Sequence, residues 1–225
     1  MEIDLGGNSQ SPQLGGAPSL GASAVTTSPT PLSTGGGINL SKGAKLDLTK
    51  SNPGLDKVRA GLGWDVNTNG GDSYDLDVEA FMCDANGKVI SPGHLVFYNN
   101  LVSPDGEVTH NGDNRTGAGA GDDETVSMVL SKISAQVEKI IFTVTIDQAI
   151  TKHQNFGQVN NAYIHLVNEA TGEELCRFDL SEDYSTSISM IMGEAYRHQG
   201  EFKFSAKGEG STKDLAGLCQ QNGVA

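Results

Sequence analysis

Tyr74-Asp75-Leu76-Asp77-Val78-Glu79-Ala80-Phe81-Met82 is the stretch on which the fold turns. Tyr74, Leu76, Val78, Ala80 and Met82 alternate with Asp75, Asp77, Glu79 and Phe81. Side chains of a β-strand point alternately to its two faces, so the stretch predicts a strand with one apolar and one largely polar face. Working outward, similar segments occupy 57–64, 95–98, 125–130, 139–146, 162–168, 174–180, 188–196 and 201–206. The segment at 139–146 is nearly continuous in β-branched residues, as a central strand buried on both faces should be. Turn pairs separate them: Asn86-Gly87, Asp105-Gly106, Thr171-Gly172 and Gln199-Gly200. Two short helices are expected, at 131–137 and 212–221. The second has a hydroxyl cap, Leu215 and Leu218 on one face, and Gly223 past its end. The prediction is an all-β fold, an antiparallel β-sandwich with a few short helices.

Residues 1–37 differ in kind. Of these, 22 are Gly, Pro, Ser or Thr, with no aromatic residue and no Lys or Arg. Such a segment cannot bury enough apolar surface to offset its conformational entropy, so it is expected to be a disordered tail before a domain at 38–225. The formal charge is −13 and only 2 of the 28 acidic residues, Glu2 and Asp4, lie in the tail, so the acidity belongs to the domain. It repels phosphate and anionic lipid, and the 15 Lys and Arg form no cluster, which excludes a nucleic-acid surface. Glu2 and Asp4 stand where a secretory signal carries basic residues, and no apolar run follows; an intracellular protein without membrane insertion is expected. Cys83, Cys176 and Cys219 form no CxxC pair and are odd in number, as free thiols of a reducing compartment would be.

Two acidic constellations carry the chemistry. Asp75 and Asp77 share one face of their strand, with Asp72 just before it and Asp65 upstream. Carboxylates that close repel one another unless a cation or basic groups sit between them. The second is the loop from Gly112 to Glu124, which offers Asp113, Asn114, Asp122, Asp123 and Glu124 on a backbone freed by Gly117, Gly119 and Gly121. Carboxylate, amide and backbone oxygens together are what a hard cation such as Ca²⁺ takes, six to eight at a time. Each constellation also has a plain reading, as a solvated strand face and an acidic surface turn; the two together point to a metal. A phosphate loop would need a lysine where Asp122 stands, and an EF-hand would not carry Arg115 and Ala118 at its third and sixth positions between strands. Asp183 and Glu194 are further acids within reach. The histidines, His94, His110, His153, His165 and His198, lack HExxH or paired spacing, and no GxSxG elbow occurs.

These residues resemble the TerD family (tellurium resistance and general stress). The matching stretches are GLGWD at 61–65, DLD at 75–77, FYNN at 97–100 and GDNRTGAGAGDDE at 112–124. QNFGQVNNAYI at 154–164, DLSED at 179–183 and GEAYRHQGEFKF at 193–204 continue them in family order. The resemblance implies a cytoplasmic, calcium-binding β-sandwich without established catalysis, linked to resistance against tellurium oxyanions and other stresses. It implies two adjacent Ca²⁺ ions held by Asp75, Asp77, Asp113, Asn114, Asp122, Asp123 and Glu124. Thr116, Gly117 and Gly119 lend backbone carbonyls to that set, and Asp183 and Glu194 are outer contributors. The expected action is Ca²⁺-dependent folding or docking to other proteins of a stress-response or membrane-associated complex, possible partners including other TerD-type chains. The alternative is a small-ligand binder of the calcium- and cyclic-AMP-binding kind, whose slime-mould members carry similar Gly/Pro-rich extensions. A hydrolase using metal-activated water is disfavoured, since calcium polarises water poorly and no positioned base is evident.

Overall fold

The computed structural model describes residues 37–68, 70–180 and 184–224. The tail expected at 1–37 falls, but for Gly37, outside these residues, as does Asp183.

Among these described residues, twelve strands form two six-stranded sheets. The first contains β1 (Ile38–Asn39), β3 (Lys57–Gly63), β6 (Val108–His110), β7 (Glu124–Val129), β9 (Tyr163–Asn168) and β10 (Glu173–Asp179), in the order β1-β10-β9-β3-β7-β6. The second contains β2 (Lys45–Asp47), β4 (Leu76–Cys83), β5 (Leu95–Val96), β8 (Lys139–Ile146), β11 (Ser189–His198) and β12 (Glu201–Ser211), in the order β2-β12-β11-β8-β4-β5. Only β1 and β10 pair in parallel; the other pairings are antiparallel, as the turn chemistry requires. At the β11–β12 hairpin, Gln199 and Gly200 both take positive φ (54° and 84°), which suits a tight two-residue connection.

The apolar sets of the two sheets meet in one core, with Val58, Ala60 and Leu62 of β3 and Val126 and Met128 of β7 on one side. Leu76, Val78, Ala80 and Met82 of β4 and Ile140, Phe142 and Val144 of β8 face them from the other. The second sheet is covered on its outer face as well. There the helix α2 (Leu215–Gln221) buries Leu218 with Phe81, Cys83, Val89 and Leu95, while Leu215 and Cys219 pack alongside. All eight residues of β4 are therefore buried, including the acidic face that the alternation marks as polar. That burial positions the site.

Both helix expectations need correction. Residues 131–137 form successive turns, because their carbonyls are drawn sideways: the Arg197 guanidinium takes the Ile133 and Val137 oxygens (2.6 and 3.1 Å). Ile133 and Val137 are both buried, so their helical spacing comes from two turns that each send one side chain inward. The C-terminal helix is real but begins at Leu215, and its cap is Asp214, whose carboxylate accepts the Gly217 N–H (2.9 Å), rather than a hydroxyl. Gly223 follows it with φ +80°. A further turn of helix, α1 (Ala149–Lys152), lies between Gln148 and His153, both in the left-handed region.

Candidate metal centre

Asp77 on β4 and Asp75 just before it lie two residues apart, and the loop 112–123 brings Asp113 over them. One carboxylate oxygen from each lies within 4.8 Å of the others. Asp75 and Asp77 are 9% and 5% exposed, whereas Asp113 lies at the surface beside Arg115 (3.4 Å). Asp75 Oδ1 is buried without a hydrogen-bond partner. An orphaned carboxylate oxygen in such a place is costly unless something positive completes it. Burial first, then the neighbouring Asp113 charge, raises the Asp75 carboxyl. Asp77 is pushed to about 8, by burial and then by Glu124, Glu79, Asp75 and Asp113. Three oxygen donors without a thiolate or imidazole suit a hard cation.

Sequence reasoning leaves two neighbours out. In the β4–β8 register Leu76 faces Ile146, so the next residue, Asp147, comes opposite Asp75 and donates its N–H to the Asp75 carbonyl (2.8 Å). No motif marks Asp147; only strand pairing finds it. Glu79, the third acid of the alternation, is fully buried and accepts from Thr143 and Thr145 on β8. Burial raises its carboxyl to about 7 although both hydroxyls oppose the shift.

The remaining expected ligands are spread over several jobs. Asp123 accepts the Trp64 N–H (2.9 Å) and the Asn114 amide (2.9 Å). The Asn114 Oδ1 in turn receives the Thr116 N–H and hydroxyl (3.2 and 3.3 Å), which curls the loop. Gly117 and Gly119 hold φ of +69° and +154° there, and Gly117 lies so close under Trp64 that a Cβ would sit 2.5 Å from Nε1. Glu124 points into the sandwich and accepts from Val78 N–H (2.7 Å) and Asn114 N–H (3.2 Å), with His110 Nε2 at 3.5 Å. Asp122 turns to the outer face of the first sheet, where His165 Nε2 lies 2.8 Å, the Tyr163 hydroxyl 3.2 Å and Arg59 3.6 Å away. Glu194 pairs with Lys207 (3.0 Å) on the outer face of the second sheet. Thus the structure gathers Asp75, Asp77 and Asp113, while Asn114, Asp123 and Glu124 shape the loop that carries Asp113.

The family model for the TerD domain matches residues 37–222. The chain belongs to the TerD family. It is similar to general stress protein 16U of Bacillus subtilis, with 53% identity over 188 residues covering 83% of this chain and 97% of that one. It is also similar to the tellurium resistance protein TerD of Serratia marcescens, with 49% identity over 187 residues and coverage of 83% and 97%. A crystal structure of a homologue of telluride resistance protein (TerD) from Streptomyces coelicolor A3(2) shares the fold. Its TM-score is 0.62 at 24% identity, covering 74% of this chain and 95% of that one. The sandwich is therefore a TerD fold, and the chain is of the tellurium-resistance and stress-response type. Among the described residues, no helix is long and apolar enough to cross a membrane.

Proposed function

We propose that this TerD-type chain is a cytoplasmic, calcium-binding stress-response module without catalytic activity of its own. The observation that carries it is the triad of Asp75, Asp77 and Asp113, with one Asp75 oxygen buried and unpartnered. We assign one Ca²⁺ ion to the triad. A second, which the family resemblance implies, belongs in the glycine loop, where burial first and then the Asp122 and Asp65 charges raise the Asp123 carboxyl. A bound ion supplies positive charge, holding Asp113 down onto β4 and so ordering the loop 112–123 into a docking surface for other proteins of a stress complex. The three thiols are poorly suited to attack an oxyanion: burial raises Cys83 to about 11 and Cys176 to about 12, and Cys219 is raised as well. Nothing among the described residues favours the cyclic-nucleotide alternative, since carboxylates crowd this end of the sandwich and repel phosphate.

Calorimetric titration of chelator-stripped protein with Ca²⁺, repeated with Mg²⁺, tests this. Two sites with a clear preference for calcium are expected, because carboxylates brought together from a strand and a separate loop suit the larger, more tolerant ion. Absence of calcium heat together with an unchanged melting temperature would sink it.

A further inference from the structure

Beside the triad, on the outer face of the second sheet, lies a cavity of about 420 Å³. The last residues of β8 and Asp77 form its floor, the segment 147–151 one wall, and the first turn of α2 the other. Its sides are apolar, from Ile150, Ile188 and Leu215, and Ile150 stands 67% exposed at the rim. Three acidic residues, Asp77, Asp147 and Asp214, are among those that line it, and among the described residues no Lys, Arg or His does. The cations next to it in sequence are engaged: Lys152 with Asp147 (3.3 Å) and Lys213 with Gln221. Asp214 spends one oxygen on the Gly217 N–H, which leaves its other oxygen and Asp77 as acceptors. Tyr98 adds an aromatic ring beside them.

An anion would meet Asp147 and Asp214 here, and a neutral apolar ligand would strip water from Asp77 and Asp214 without replacing its hydrogen bonds. A ligand with an ammonium head and an aliphatic body satisfies both walls. Its head donates to Asp214 and to a carboxyl oxygen of Asp77, which accepts with or without a proton on the group, and lies near the Tyr98 ring, while its body covers the isoleucines. We infer that this cavity is a binding site for a small organic cation, a primary alkylammonium, distinct from the metal centre and sharing only Asp77 with it. Because one carboxylate serves both, the amine and Ca²⁺ weaken each other's binding by equal factors.

The test titrates the full chain, in chelator, with n-pentylammonium and with its neutral isostere n-pentanol. The ammonium is expected to bind about tenfold tighter or more, the worth of one charged hydrogen bond. Ala216→Trp, at an exposed position on the mouth, should weaken it about tenfold or more by filling the space, with an unchanged melting temperature. Equal binding of amine and alcohol, no saturable binding of either, or full affinity in the Trp variant overturns the inference. Repeating the titration with Ca²⁺ separates it from the metal reading. Weakened amine binding supports the shared Asp77. Calcium heat without such weakening overturns the sharing. Absence of calcium heat removes the ion and leaves the amine result standing.

Discussion

Asp77 keeps its proton to about pH 8 without metal, because leaving water and facing Glu124, Glu79, Asp75 and Asp113 both penalise its charge. An amide in its place keeps the shape and forfeits only an ionised form that is scarce at pH 7. Asp77→Asn should therefore melt above the parent in chelator at pH 7, because the unfolded parent ionises there at its ordinary pKa while the folded one does not, a cost that the amide removes. The same variant should lose most of the rise that calcium gives the parent. Calorimetric melts with and without the ion check both halves, and an undiminished calcium rise would remove Asp77 from the centre. Gly117 sets a second residue-scale expectation. At φ +69° with its missing Cβ only 2.5 Å from the Trp64 ring nitrogen, Gly117→Ala should cost about 1–3 kcal/mol. Gly119→Ala, also at positive φ but facing open space, should cost less. Denaturant melts compare them, and equal costs would show that backbone strain alone, not the contact, sets the penalty.

At the scale of elements, the outer face of β3, β9 and β10 holds its own charge network. Gly61 and Gly63 leave room for Asp122, His165 and Tyr163 to approach the backbone closely; a Cβ on Gly61 would sit 2.3 Å from Asp122. His165 has Asp122 on one ring nitrogen (2.8 Å) and Glu174 on the other (2.7 Å). Burial works against its charge, yet the two carboxylates win and raise its pKa above 6.5. Burial works against Asp122 too, but His165, Arg59 and Tyr163 hold it below 3.8. The raised histidine stabilises fully below pH 6.5 and stops doing so as pH rises through its folded value. The lowered aspartate stabilises above 3.8 and stops as pH falls through its own. Replacing His165 by Asn should thus cost most between these limits and progressively less as pH rises through the histidine's folded value. A penalty that stays constant across paired melts over pH would assign His165 to packing alone.

The same scale shows what was legible in the sequence. Period two read β4, and a near-continuous run of β-branched residues read β8 to the residue, because eight residues are long enough to display either pattern. The strands β1, β2 and β6, of two and three residues, are too short to show any period and exist only through their neighbours. Residues 131–137 misled through apolar spacing, since the Arg197 that bends them lies sixty residues away on β11. In the site, Asp75 and Asp77 were legible from strand geometry and Asp113 from loop chemistry. The three consecutive acids that end the loop were not sorted, because each turns to a different place: Asp122 to His165, Asp123 to the Trp64 N–H, Glu124 to the Val78 N–H. Composition groups such residues; only the fold separates them.

For the whole molecule, the two sheets share a continuous apolar core that owes nothing to an ion. Metal removal should therefore lower the melting temperature while leaving the far-ultraviolet circular dichroism of the strands in place, unlike small metal-dependent domains that unfold. Calcium present at a hundred times its dissociation constant would add about 2.7 kcal/mol per site. Loss of the strand spectrum in chelator would mean that the core is insufficient on its own. The chain's acidity adds a second lever, since a net charge of −13 draws divalent cations towards every carboxylate. Raising the ionic strength should weaken this long-range attraction and leave the short-range coordination at the triad comparatively intact.

Trp64 is the chain's single tryptophan, and it sits where the loop, the strand β3 and the entry to β4 converge. Its backbone N–H is bonded to Asp123, its indole N–H to the Tyr74 carbonyl, and Gly117 lies beneath its ring. Rearrangement of the loop around an arriving ion must alter the electric field and the hydration around this indole. The protein thus carries a built-in optical reporter: its ultraviolet emission can follow ion entry in real time, with no dye attached and no competing indole to subtract.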